Sequence, residues 1–226
     1  MKLAALFSGG KDSTYSIFKA KQDGHSIECL VTIVPKSDES MLLHYPNIPI
    51  TKLQASSMNI PQIYIESESN DTKFETELMI ETLQKVIQDY KIEGLVQGGI
   101  LSEFQKNNFN KVCQSLNLTL ISPIWHEDQK EYMENLLKDN FRFIIVSVSA
   151  DGLDDEWLGK EIDNESLEKL ELLSQKFGFN LNFEGGEAET LVINCPLFLH
   201  SISIQKSRKI WDGYRGRFEI EEAKLV

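Results

Sequence analysis

The chain's 226 residues, 41% of them hydrophobic, suffice for one large domain or a domain with a smaller part appended. A net charge of −12, from 23 Lys and Arg against 35 Asp and Glu, excludes broad nucleic-acid binding, which needs clustered cations, yet leaves room for a small basic pocket. No apolar run reaches membrane-span length, so no membrane association and, by default, a cytoplasmic location are expected.

The first element is a strand-length apolar run, Leu3 to Phe7, leading directly into Ser8-Gly9-Gly10-Lys11-Asp12-Ser13 and a helical segment. Two glycines let backbone N–H groups approach a ligand closely, and the helix directs its positive N-terminal end at the same point. Lys11 adds a point charge, and Ser8 and Ser13 add hydroxyls. The expected ligand is a phosphate or pyrophosphate. The spacing matches neither the G-x-x-x-x-G-K-[ST] loop nor the G-x-G-x-x-G loop. The hexapeptide resembles the pyrophosphate loop of N-type ATP pyrophosphatases, which implies ATP and an adenylation half-reaction but no particular substrate.

A helix over 12–23 is closed by Gly24. Ile27–Val34 reads as a second strand, ended by Pro35. After a polar loop and the stretch Met41 to Asn47, residues 49–58 read as a helix and Gln62–Glu66 as a third strand. Thr72 and Glu75 have capping-box spacing at the head of a long helix with apolar residues at helical intervals. A short strand, Gly94 to Gln97, runs into Gly98-Gly99, and Ser102 and Gln105 again have capping-box spacing before another helix. Leu118–Ile121 is a fifth strand, stopped by Pro123. Strands alternating with helices predict a doubly wound parallel sheet. Ligands bind beyond the carboxyl ends of such strands, so Ser8–Ser13 and Gly98–Ser102 are expected to line one crevice.

The pattern changes from Trp125. A helix near 128–139, an apolar strand Phe141–Val148, an irregular stretch to Gly159 and a helix capped by Asp163 precede a β-like tail. Thr190–Asn194, Ile202–Gln205 and Arg217–Ile220 read as short strands, with Asp212-Gly213 as a hairpin turn. The reading divides the chain into residues 1–123 and a smaller α+β part, 124–226. Cys29, Cys113 and Cys195 are odd in number and widely spaced, so they read as buried apolar residues. In Glu184-Gly185-Gly186-Glu187-Ala188-Glu189 three carboxylates surround two glycines. Such a turn is either a solvated hairpin corner or a place to bind a cation, hold Mg²⁺ or take a proton from an amine.

Nearly the whole chain resembles the diphthine–ammonia ligases, or diphthamide synthetases. The resemblance runs through Ser8–Ser13, Met41 with His44-x-Pro46-Asn47, Leu53-Gln54-Ala55, and Gly99-Ile100-Leu101-Ser102-Glu103-Phe104-Gln105. It continues through Val112-Cys113, Ser122-Pro123-Ile124-Trp125, Gly152-Leu153, Leu158-Gly159, and Glu184 to Val192. The chain departs from the family pattern at Phe104 and Lys106, at Asn108 and Asn110, and at Ala188; Lys106 cannot reproduce bidentate arginine geometry.

The resemblance implies an adenine nucleotide alpha hydrolase-like, Rossmann-like first domain. It implies ATP and Mg²⁺ as cofactors, and the diphthine-bearing elongation factor 2 and ammonium as substrates. ATP would adenylate the diphthine carboxylate, and ammonia would displace AMP. Ser8, Gly9, Gly10, Lys11 and Ser13 would hold the departing pyrophosphate, with Asp12 orienting Mg²⁺ or capping the helix. His44 would contact adenine, ribose or the adenylate unless it is structural, and Gly98, Gly99 and Ser102 would contact the nucleotide. Glu187 and Glu189 would engage diphthine's trimethylammonium group, or hold ammonium and take its proton. Trp125 and Trp157 would offer cation–π faces unless they pack the core. The alternatives are another pyrophosphate-loop ligase, such as a tRNA-modifying enzyme, or a regulatory nucleotide-binding domain without turnover. The acid balance and scattered cysteines disfavour the tRNA-modifying reading, and a homo-oligomer stays open.

Overall fold

The structure is a computed structural model that describes residues 1–37 and 47–226. Five strands form a parallel sheet in the order β3-β2-β1-β4-β5: β1 Lys2–Leu6, β2 Ser26–Val34, β3 Gln62–Glu66, β4 Gly94–Val96 and β5 Thr119–Ile121. The helices between them cover both faces. On one, α1 (Lys11–Gln22) and α2 (Thr51–Met58) bury Ile17, Ala20, Ala55 and Met58. On the other, α3 (Thr72–Tyr90) and α4 (Glu103–Ser115) bury Met79, Leu83, Val86, Phe109 and Val112. Because chain order reverses at β1, the loops after β1 and β4 diverge to opposite faces and leave a crevice between them.

The second sheet is antiparallel, in the order β7-β6-β9-β8: β6 Arg142–Val148, β7 Ala188–Asn194, β8 Ile202–Trp211 and β9 Gly216–Leu225. Helices α5 (Gln129–Lys138) and α6 (Asn164–Phe177) belong to this part. The largest core unites it with the first sheet's surroundings, packing Tyr15 and Ile100 with Tyr132, Phe141, Phe143 and Trp157. Tyr15 lies edge-on to Phe141 at 5.1 Å, and its hydroxyl donates to Asp139 at 2.7 Å.

Two expectations change. The long helix α3 is capped by Asp71, whose side chain accepts from Phe74 N at 3.0 Å, one residue before the predicted Thr72. Strands β8 and β9 run ten residues each rather than four. Their outer halves carry Lys206, Arg208, Glu219 and Glu221, which pair across the hairpin, as in Arg208 with Glu219. On β8 the stretch from Lys206 to Lys209 is exposed on both faces, so hydrophobic alternation fades there while the ladder continues. Ser102 and Asp163 cap their helices as the sequence predicts.

Candidate active site

At the end of β1 the chain turns through Gly9, at φ +80°, and Gly10 serves as N-cap of α1 with no side-chain cap. A β-carbon on Gly9 would collide with the Gln54 side chain. Gln54, fully buried in α2, donates its amide to the carbonyls of Gly9 at 2.9 Å and Val192 at 2.8 Å, and Val192 N donates to Gly9 O at 3.0 Å. The loop is therefore locked onto β7, far away in sequence. Ser8 and Ser13 face each other, with hydroxyls 3.2 Å apart.

Lys11 is 2% exposed, and its ammonium turns inward. It donates to both Asp12 carboxylate oxygens, at 2.8 and 3.0 Å, and to Asn182 O at 2.6 Å, between the rings of Tyr132 and Phe183. Its backbone N–H donates to Thr190 Oγ1 at 3.1 Å. This differs from the expected outward point charge, because the second part supplies an acceptor closer than solvent. Asp12 also accepts from the Tyr132 hydroxyl at 2.6 Å while keeping 30% of its side-chain surface exposed. Burial and the Asp12 charge push Tyr132's ionisation well above the usual phenol range, so it remains a donor. Asp12 does not cap α1; the capping alternative is set aside by Gly10.

Gly98 sits against the first turn of α1, where a β-carbon would fall 2.7 Å from Ser13 N and 2.9 Å from the Asp12 carbonyl carbon. The following turn presents three amides in a row. Glu184 Oε1 accepts all of them, from Ile100 at 3.1 Å, Leu101 at 2.9 Å and Ser102 at 3.0 Å. The amide of Ser102, a residue expected to contact the nucleotide, thus serves a carboxylate from the acidic turn, and its hydroxyl caps α4. Sequence reasoning missed this pairing, 82 residues long; the only signal was a third acid beside two glycines.

Glu187 departs from expectation too. Its Oε1 accepts Asn180 N at 2.9 Å and Asn180 Nδ2 at 2.6 Å, and its Oε2 accepts Gly185 N at 2.8 Å. Three donors from its own turn consume the carboxylate, which closes the loop rather than facing the crevice. Trp157 is 3% exposed in the core with Lys160 and Lys169 on its ring, and Trp125 carries Lys106 at 3.7 Å. Neither offers its face to the crevice. His44 lies outside the described residues.

The crevice encloses about 670 Å³ and is walled by both parts. Ser8, Gly10, Lys11, Asp12, Ser13, Gly98, Gly99 and Ser102 line it from the first, and Glu184, Glu189 and Thr190 from the second. Leu6, Phe7, Val31, Ile33 and Phe109 supply an apolar flank suited to a flat base. Ser147, Arg215 and Arg217 line it as well, and none had been singled out from the sequence. Among the described residues no three His, Cys, Asp or Glu side chains gather into a metal cage. A Mg²⁺ carried by nucleotide phosphates needs only one or two carboxylates, and Asp12, partly exposed on the wall, fits that need. All three cysteines are buried, and burial pushes each thiol up to about 12, which makes them unreactive packing groups. No helix among the described residues is long and apolar enough to cross a membrane.

A glycine-flanked anion loop at the switch point of a parallel sheet places the chain in the class of nucleotide-dependent α/β enzymes. Family models for the diphthamide synthase N-terminal and C-terminal domains match residues 1–120 and 128–226. A bovine diphthine–ammonia ligase is 34% identical over 229 residues, covering 93% of this chain and 85% of the relative. The mouse enzyme of that name is 33% identical with the same coverage. A crystal structure described as a predicted subunit of tRNA methyltransferase from Methanocaldococcus jannaschii covers 87% of this chain and 98% of its own, at 16% identity and TM-score 0.41. The chain belongs to the diphthamide synthase family, and it is a ligase.

Proposed function

We propose that this protein completes diphthamide by ATP-dependent amidation of diphthine with ammonium, on elongation factor 2 as the protein substrate. Residues 1–123 take the nucleotide and 124–226 the acceptor. The observation that carries the reading is the single crevice in which the Ser8–Ser13 loop meets the acidic turn and β7. A carboxylate accepts nucleophiles poorly, and adenylation gives it a leaving group. The loop amides, the hydroxyls of Ser8 and Ser13 and the N-terminus of α1 bind the β- and γ-phosphates, where charge grows as pyrophosphate leaves. Gly98 and Gly99 let the facing turn approach the nucleotide.

Lys11 and Tyr132 hold Asp12 at the wall, where its carboxylate would hold a Mg²⁺ accompanying ATP; the ion would neutralise phosphate charge. Glu184 and Glu189 of the motif both line the crevice; Glu184 accepts the amides of the turn after β4, and Glu189 stands on β7 next to Thr190, the acceptor of the Lys11 amide. Glu189 takes the cationic role, attracting the trimethylammonium group or receiving a proton from the incoming ammonium.

Incubation with diphthine-bearing elongation factor 2, ATP and ammonium is expected to release AMP and pyrophosphate and convert the acceptor to the amide by mass. Release of ADP, or no conversion, would refute the reading.

A further inference from the structure

The antiparallel sheet carries a row of four residues straight across its strands. Glu189 on β7 pairs with Ser147 on β6, Ser147 pairs with Arg217 on β9, and Arg217 pairs with Ile210 on β8. Directly opposed residues of antiparallel strands project from the same face, and all four line the crevice. Strands lie roughly 4.8 Å apart. The row therefore presents carboxylate, hydroxyl, guanidinium and an apolar end over about 14 Å.

Arginine is scarce in this acidic chain. Of its four arginines, two, Arg215 and Arg217, line the crevice. The turn that delivers them is fixed by Asp212, whose Oδ1 accepts Tyr214 N at 2.9 Å and Arg215 N at 2.7 Å. Residue types at one register are thus opposite in sign and two strands apart, facing the phosphate loop.

We propose that this row is a zwitterion reader: Arg217, assisted by Ser147 and Arg215, binds the acceptor's carboxylate while Glu189 faces its quaternary ammonium. The inference rests on the amidation reading above and assigns the substrate's two charges to two members of one row, two strands apart. Guanidinium matches a carboxylate with two parallel N–H donors, which orients the oxygen to be adenylated toward the nucleotide. After amidation the product lacks that charge, so the same contact favours substrate over product.

The test compares the full chain with its Arg217→Ala, Arg217→Gln and Arg217→Lys variants, using elongation factor 2 in its diphthine and diphthamide forms. The wild type is expected to bind the diphthine form more tightly. Arg217→Ala and Arg217→Gln should raise KM for the acceptor about 10- to 100-fold and bind both forms alike. ATP affinity and the unfolding midpoint should stay unchanged, and Arg217→Lys should recover part of the preference. A variant without Arg217 that retains the preference for the diphthine form overturns the inference alone. Failure of the wild type to convert diphthine overturns the amidation reading and this inference with it.

Discussion

The Lys11 ammonium shows how a charged side chain in a ligand-type loop can be engaged inside the protein. Its three acceptor contacts and two aromatic neighbours leave it 2% exposed. A fully buried pair broken on one side costs about 3–5 kcal/mol. Asp12 retains 30% of its side-chain surface in water, so Lys11→Met is expected to destabilise by about 2 kcal/mol, read from urea unfolding. The same variant should weaken ATP use, because Asp12 loses its anchor. Loss of ATP use without loss of stability would return Lys11 to a direct phosphate contact. The residue types of this site were legible in the sequence, yet their partners were not. Ser8, Gly9, Gly10 and Ser13 belong to a local motif that needs no tertiary information. Glu184, Glu187 and Glu189 are chemically alike in the sequence, and only folding sorts them into an amide clamp, a loop closure and a crevice wall.

At the scale of elements, the approach of α1 to the turn after β4 depends on one missing side chain. The β-carbon of an alanine at Gly98 would meet backbone atoms of Asp12 and Ser13 at 2.7 to 2.9 Å, and backbone cannot swing aside as a side chain does. Gly98→Ala should cost about 1–3 kcal/mol and lower the melting temperature by roughly 2–4 °C per kcal/mol for a chain of this size. ATP affinity should fall about tenfold or more as the first turn of α1 is displaced; isothermal titration measures it. Alternation of strands and helices revealed the parallel sheet, since each buried strand stands out as an apolar run between turn residues. Strand β8 looks short in the sequence because Lys206 to Lys209 is exposed on both faces and held by cross-strand ion pairs rather than by an apolar stripe. Periodicity reports burial, not hydrogen bonding.

For the whole molecule, the dividing point near residue 123 separates two sheets but not two cores. Tyr15 and Ile100 pack into the cluster built by α5, β6 and α6, and the anion loop accepts from Val192 N and donates to Thr190 Oγ1 and Asn182 O. Residues 1–123 expressed alone are therefore expected to give a loosened state, with helical circular dichroism, a broad urea transition and no ATP binding. A sharp two-state transition with ATP affinity intact would show the first part to be self-sufficient. Such long-range closure is invisible to sequence patterns, which see a few turns of chain at a time.

The bond between the Lys11 amide and Thr190 spans 179 residues, and this gives the protein a birth order. At roughly 5–20 residues per second on the ribosome, the loop emerges on the order of 10 to 40 seconds before the strand that fixes it. During that interval the Lys11 amide lacks its Thr190 acceptor, and Tyr15 and Ile100 lack the cover later given by α5 and β6. The nucleotide pocket is thus among the first segments synthesised and the last to be finished.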